Sequence, residues 1–266
     1  MVAKQFAFGA LGIGYGDDGA GPPVVCLHSG GFSSRQWKRL RDVLAPSYRV
    51  ITPDLIGYAS STRWPAGEPF HFDRDVEAMA ALARTLGEPV YLVGHSYGGF
   101  VACHVALALG LGHVRGLALY DPVTFSVLDP VRDADALAGF TMNTTWDPAG
   151  DAWFRWFVDW WNGPGAWDAL PRETADAFRD RGEKLFHEVR TLAADTTGAA
   201  GFRAITAPAL VMTGSKTPLA EQRTVERLVE ALPHAEMKRF DGMGHMGPIT
   251  HHAIVDGAIA QFIRTT

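Results

Sequence analysis

Two hydrophobic patterns alternate along the chain. Short, mostly apolar runs at residues 24–27, 48–52, 90–93, 114–120 and 208–213 stop at histidine, proline, glycine or aspartate, as strands covered on both faces do. Between them the apolar residues recur at helical spacing. Trp37, Leu40, Val43 and Leu44 share one face of a helix predicted over 35–44, with Ser33 or Ser34 as its cap and Pro46 as its end. Val76, Met79, Ala80, Ala83 and Leu86 do the same over 72–86, where Asp73 and Asp75 suit the helix dipole and Gly87 closes the helix. Further helices are predicted over 97–109, 219–232 and after residue 248, with a strand over 235–240. Residues 5–15 alternate loosely around Gly9, Gly12 and Gly14 and reach a turn at 17–23, which predicts a hairpin forming an antiparallel edge. Strands alternating with helices call for an α/β fold with a mostly parallel sheet, whose ligands bind beyond the carboxyl ends of the strands.

The pattern breaks over 123–204. Strands disappear, and Trp146, Trp153, Trp156, Trp160, Trp161 and Trp167 make up six of the chain's eight tryptophans. Residues 151–161 read as an aromatic amphipathic helix. The division expected is one domain from 1–122 and 205–266 with a helical insertion at 123–204.

Composition narrows the classes. The chain has 266 residues, 47% hydrophobic and 20% charged, and a formal net charge of -5, so a sizeable core is affordable and nucleic acid is an unexpected partner. No apolar stretch approaches the ~20 residues of a membrane span, and the N-terminus lacks a signal-peptide core, so a cytoplasmic location without a membrane partner is expected. Cys26 and Cys103 fall in a predicted strand and helix and read as core hydrophobes. His251 and His252 are adjacent on a helix and cannot face one ion together, so no metal site is expected.

The candidate chemistry centres on Gly94-His95-Ser96-Tyr97-Gly98, at the junction of an apolar strand and a helix. Small residues two before and two after Ser96 let strand and helix pass each other, and the first free N–H groups of the helix face whatever is attached to the hydroxyl. The stretch resembles the nucleophile elbow, G-x-S-x-G, of the α/β-hydrolase family. His28-Ser29-Gly30-Gly31 resembles the family's oxyanion loop, with Ser29 where a first glycine is usual, and the resemblance makes Gly30, with Gly31 as second choice, and Tyr97 the oxyanion donors. Asp54 to Ser61 resembles the D-x-x-G-x-G-x-S loop, with Ala59 in place of a glycine and Asp54 pinning the loop rather than reacting. Gly242-Met243-Gly244-His245 resembles the histidine loop. The family resemblance implies an eight-stranded, mostly parallel sheet with a helical cap inserted after the sixth strand.

The same resemblance implies a serine nucleophile, Ser96, a base, His245, and an acid. Many family members carry the acid after the strand that here is 209–213, but Gly214-Ser215-Lys216-Thr217-Pro218 holds no carboxylate. Some family members carry the acid instead at the end of the strand after the elbow helix, so the resemblance makes Asp121, which occupies that end, the expected acid, with Asp241 and Asp129 as alternatives and Pro122 expected to keep the departing chain extended. His104 is expected to be packed or at the surface. Trp153, Trp156, Phe157, Trp160 and Met246 are the expected substrate contacts. A serine hydrolase acting on a small ester or related acyl compound through an acyl-enzyme is the leading reading, with no cofactor, as monomer or homodimer. A carbon–carbon bond hydrolase of aromatic degradation, a cofactor-free perhydrolase and a small-molecule receptor retaining the triad are the alternatives.

Overall fold

A computed structural model describes residues 2–138, 140, 147 and 150–266; Trp146 lies outside them. The described residues contain eight strands: β1 (Val2–Phe8), β2 (Leu11–Asp18), β3 (Pro23–Leu27), β4 (Arg49–Pro53), β5 (Val90–His95), β6 (Val114–Tyr120), β7 (Ala209–Gly214) and β8 (Ala235–Phe240). They form one sheet in the order β1-β2-β4-β3-β5-β6-β7-β8. β2 is antiparallel to both β1 and β4, and the remaining neighbours are parallel. The expected antiparallel edge is thus present, and β2 continues past its glycines because the 54–61 loop crowds it. A Cβ at Gly14 would sit 2.0 Å from Ser60 Oγ.

β3, β5 and β7 are buried at every position, as continuous apolar runs covered on both sides should be. Helices α1 (Lys38–Leu44), α2 (Asp73–Arg84) and α3 (Tyr97–Leu109) connect the first strands. The sequence predicted a helix over 35–44 capped by Ser33 or Ser34. A 3-10 turn at Ser34–Trp37 precedes α1 instead, Ser33 makes no side-chain cap, and the Ser34 N–H donates to Asp54 Oδ1 at 2.8 Å. That carboxylate also accepts from the Ser60 N–H and Oγ, so Asp54 pins its own loop.

After β6 the chain leaves the sheet through a 3-10 turn at Phe125–Val127 and the helices α4 (Ala134–Leu137), α5 (Asp151–Asn162), α6 (Arg172–Asp180), α7 (Gly182–Leu192) and α8 (Gly198–Phe202). Trp153, Phe154, Val158, Trp167, Phe178, Leu185 and Phe186 from α5 to α7 make a hydrophobic nucleus of their own. α8 belongs elsewhere: Phe202 is fully buried in the cluster that holds Val211 and Val225 of the sheet domain. The fold closes with α9 (Leu219–Ala231), α10 (Gly247–Thr250) and α11 (His252–Thr265).

Candidate active site

Ser96 stands where β5 gives way to α3, with φ 55 and ψ −126, a conformation rarely adopted by a residue with a side chain. The glycines around it are sterically required. A Cβ at Gly94 would meet Gly98 O at 2.5 Å, and one at Gly98 would meet the carbonyl oxygens of His28 and Leu27 at 2.4 Å. Backbone bonds hold the turn from both sides: the Ser96 N–H donates to Tyr120 O at 3.0 Å, and Ser96 O accepts from the Gly99 and Phe100 N–H groups.

His245 lies on the loop between β8 and α10, and its Nε2 is 3.0 Å from Ser96 Oγ. Its Nδ1 is 3.0 Å from Asp121 Oδ2. Asp121 follows β6, and the Thr217 hydroxyl donates to the same Oδ2 at 2.9 Å. The chain beyond Asp121 does not depart extended as Pro122 had led us to expect. Asp121 has φ 42 and Val123 φ 48, so the backbone turns sharply under the imidazole, at a cost that is largest for the β-branched valine.

Burial dominates the electrostatics of this row. It holds His245 down to about 3, which leaves the imidazole neutral and able to take a proton. It pushes Asp121 up to about 7, against the Thr213 and Thr217 hydroxyls, which favour the charged carboxylate. Because protonated His245 is no base, a lowered imidazole moves activity loss toward acid. The acid limb of kcat/KM is expected below pH ~6.5, the ordinary histidine value. Because the raised Asp121 carboxyl can itself set a limb near 7, a half-point at or above 6.5 that persists in Asp121→Asn would contradict this. Behind Asp121, Glu221 accepts the Val123 N–H at 3.1 Å, and burial followed by the nearby Asp121 charge raises its carboxyl well above the usual range.

Side chains that the sequence pattern did not single out align the loops. The Ser29 N–H donates to Gln36 Oε1 at 3.0 Å, Gln36 Nε2 contacts His95 Nδ1 at 3.0 Å, and His95 Nε2 reaches the His245 carbonyl at 2.8 Å. A carbonyl only accepts, so His95 carries its proton on Nε2 and accepts from Gln36. Burial lowers His95 to about 3, in keeping with that neutral tautomer. The Tyr120 hydroxyl donates to Gly244 O at 2.8 Å and completes the seating of the histidine loop. His104 is buried beside Asp195 and Thr197, away from the row.

Two cavities meet at Ser96. The inner one has a free volume of ≈ 30 Å³ and is lined by Gly30, Ser96, Tyr97, Trp156, Phe157, Trp160, Leu185, Glu188 and Leu192 among others. The outer one, ≈ 330 Å³, opens beside His245 and Met246 and is lined by Ser29, Phe157, Trp161, Asn162, Leu170 and Phe178 among others. Trp156, Phe157, Trp160 and Met246 line these cavities. Trp153 does not. It is 1% exposed, stacked on Phe157 in the α5 to α7 nucleus, because its turn of α5 faces α7 rather than Ser96. The sequence also missed Trp161, whose indole stacks on the His245 ring with centroids 3.5 Å apart and planes 19° from parallel. Among the described residues no group of three or more His, Cys, Asp or Glu could hold a metal ion, and no helix is long and apolar enough to cross a membrane.

A doubly covered parallel sheet with a strained serine at a strand-to-helix turn and a buried histidine beside it defines the hydrolase class of α/β proteins. The chain matches the alpha/beta hydrolase family over residues 24–256 and belongs to it. It is 40% identical over 100 residues to the lipase LipV of Mycobacterium tuberculosis, a match covering 37% of this chain and 36% of the lipase, so about a third of that relative's length. It is 28% identical over 272 residues to the 2-hydroxymuconate semialdehyde hydrolase of Pseudomonas sp. strain CF600, covering 98% of this chain and 94% of that one. The crystal structure of a lipase described as putative, from Acinetobacter baumannii AYE, superposes with a TM-score of 0.76 at 19% identity, covering 99% of this chain and 91% of that one, which is a likeness of fold.

Proposed function

We propose that the protein is a serine hydrolase in which Ser96 attacks an ester carbonyl, His245 takes the hydroxyl proton and returns it to the leaving alcohol, and Asp121 orients the imidazole. The observation that carries this reading is the continuous row in which Nε2 and Nδ1 of one buried ring lie 3.0 Å from Ser96 Oγ and 3.0 Å from Asp121 Oδ2. The backbone N–H groups of Gly30 and Tyr97 form the oxyanion hole, and residues 123–204, chiefly α5 to α7, form a cap over the site. A water activated by the same imidazole then releases the acyl group.

The two cavities support a division of the substrate into two halves. His245 must hand its proton to the leaving oxygen, so the alcohol lies on the His245 side, in the outer pocket. The acyl group then points into the inner slot, which is apolar and small. The substrate class this supports is an ester of a short, uncharged acyl group with a larger apolar or aromatic alcohol. Trp160→Ala is expected to enlarge the slot and move the preferred acyl chain to longer homologues while Ser96 keeps its reactivity. Hydrolysis rates across a p-nitrophenyl ester series from acetate to octanoate test this, and an unchanged ranking would remove Trp160 from the slot.

The full-length similarity to a 2-hydroxymuconate semialdehyde hydrolase favours a second reading, cleavage of a carbon–carbon bond next to a carbonyl. An anionic dienol substrate needs a cation to receive its carboxylate, and neither cavity is lined by a lysine or arginine among the described residues. We therefore place the ester reading first. Both reactions take their proton transfers from His245 and their charge stabilisation from backbone donors, so activity is expected to survive EDTA. Recovery only on adding a divalent ion would reject that chemistry.

A further inference from the structure

A buried ionic cluster that plays no part in the proton transfers lies behind the inner slot. Lys184 of α7 is 7% exposed, and its Nζ donates to Asp75 Oδ2 of α2 at 2.8 Å and to Glu188 Oε1 one turn further along α7. The Tyr58 hydroxyl donates to Glu188 Oε2 at 2.7 Å and accepts the Gly31 N–H at 3.0 Å. On the other side the Tyr97 hydroxyl donates to Asp75 Oδ2 at 3.0 Å, and Asp75 Oδ1 accepts the Ile56 N–H at 2.9 Å. The ammonium also rests 3.9 Å from the centroid of the Phe70 ring.

The two ends of this chain of bonds are telling. Gly31 N belongs to the peptide linking Gly30 to Gly31, and Tyr97 is the residue after the nucleophile. These are the two segments whose N–H groups face the oxyanion in the reading above. The cap holds Gly31 a second time, because Arg181 Nη1 donates to Gly31 O at 3.0 Å. Glu188 also leaves no room at Gly30, where a Cβ would come within 2.8 Å of Glu188 Oε2.

A buried ion pair is a weak stabiliser, since the desolvation of both partners offsets their attraction. A core of apolar side chains would hold α7 against α2 at least as well. What the charges add is direction: each bond has one donor and one acceptor at a fixed place, and they converge on two backbone segments that must be positioned to a fraction of an ångström. We propose that Lys184 and Glu188 are positioning residues that make the geometry of the oxyanion hole depend on the cap being seated. Gly31 and Tyr97 keep Tyr58 and Asp75 as partners without the cap, but only a seated cap lets Glu188, Lys184 and Arg181 fix those partners and the Gly31 carbonyl in place. This inference rests on the serine-hydrolase reading.

Tyr58→Phe and Glu188→Leu test it, with Glu188→Gln as the conservative control that keeps an acceptor for Tyr58. Each is measured for kcat and KM on a short-chain ester, for affinity toward an alkyl trifluoromethyl ketone, which forms an oxyanion on the serine, and toward a non-reactive apolar competitor. The expected result is a kcat loss of roughly 10- to 100-fold in Tyr58→Phe and Glu188→Leu, with trifluoromethyl ketone affinity falling in parallel. KM and competitor affinity stay within about threefold, and Glu188→Gln recovers most of the loss. Unchanged kcat in folded variants would overturn the proposal, as would equal losses for ketone and competitor. Should Glu188→Leu not fold, Tyr58→Phe, which removes a single oxygen, decides the matter. Failure of the serine reading itself looks different: the wild-type protein would then form no adduct with the ketone.

Discussion

Ser96→Ala eliminates covalent labelling by a fluorophosphonate and lowers ester hydrolysis by about 10⁶-fold, the scale of loss when the nucleophile of a serine hydrolase is removed. The magnitude follows from the geometry. Only this serine has both an imidazole nitrogen at 3.0 Å from its Oγ and a place at the meeting point of two cavities among the described residues. The strained φ of 55 at Ser96 is tolerated equally poorly by alanine, so the substitution leaves the fold as it was. Thermal stability close to the wild type, with labelling gone, is the expected pair of results. Mass spectrometry that found the phosphonate on another serine would move the nucleophile elsewhere.

The sheet and the row from Ser96 to Asp121 were legible in the sequence because both follow local rules. Buried parallel strands are continuous apolar runs, and a nucleophile at a strand-to-helix turn demands small neighbours, so Gly94 and Gly98 announce Ser96. Asp121 as the partner of His245 was expected because the loop after β7 offers hydroxyls but no carboxylate and the family resemblance puts an acid at the end of the strand after the elbow helix. What was not legible depends on contacts between distant segments. Asp75 read as a residue suiting the dipole of α2, and only the packing of α7, α3 and the loop after β4 against it shows that it receives Lys184, Tyr97 and Ile56. His95 read as the variable residue of the elbow, yet it joins the Ser29 loop to the His245 loop through Gln36. The aromatic helix α5 shows why burial pattern alone misassigns pocket contacts. Trp153 and Trp161 are both nearly inaccessible, at 1% and 9%, but one is enclosed by its own helical layer and the other lies face to face with the His245 imidazole. Helical periodicity tells which residues share a face; it does not tell which neighbour that face meets.

Asp121→Asn lowers kcat/KM by about 10⁴-fold in a protein that still folds and still presents Ser96. Asp121 Oδ2 can only accept from His245 Nδ1, which fixes the proton there and leaves Nε2 free as a base. An asparagine can turn its amide N–H toward Nδ1, and the ring then carries its proton on Nε2 and cannot accept one from Ser96. The imidazolium that forms in the transition state also loses the one carboxylate in contact with it. Glu221 does not replace it, because its Oε1 is taken by the Val123 N–H, and burial and the nearby Asp121 charge disfavour its ionised form. Thr213 and Thr217, where the loop after β7 offers no acid, supply hydroxyls and no charge. The other carboxylates named by the sequence are occupied: Asp241 accepts the Ser215 hydroxyl in an exposed turn, and Asp129 accepts the Val131 and Arg132 N–H groups. Asp241→Asn is therefore expected to cost less than about tenfold, since it loosens a surface turn without touching the imidazole. Rates for both variants on one activated ester, with circular dichroism to confirm folding, separate the two positions. A larger loss at Asp241 than at Asp121 would place the acid after β8 and leave the buried carboxylate beside His245 without a catalytic role.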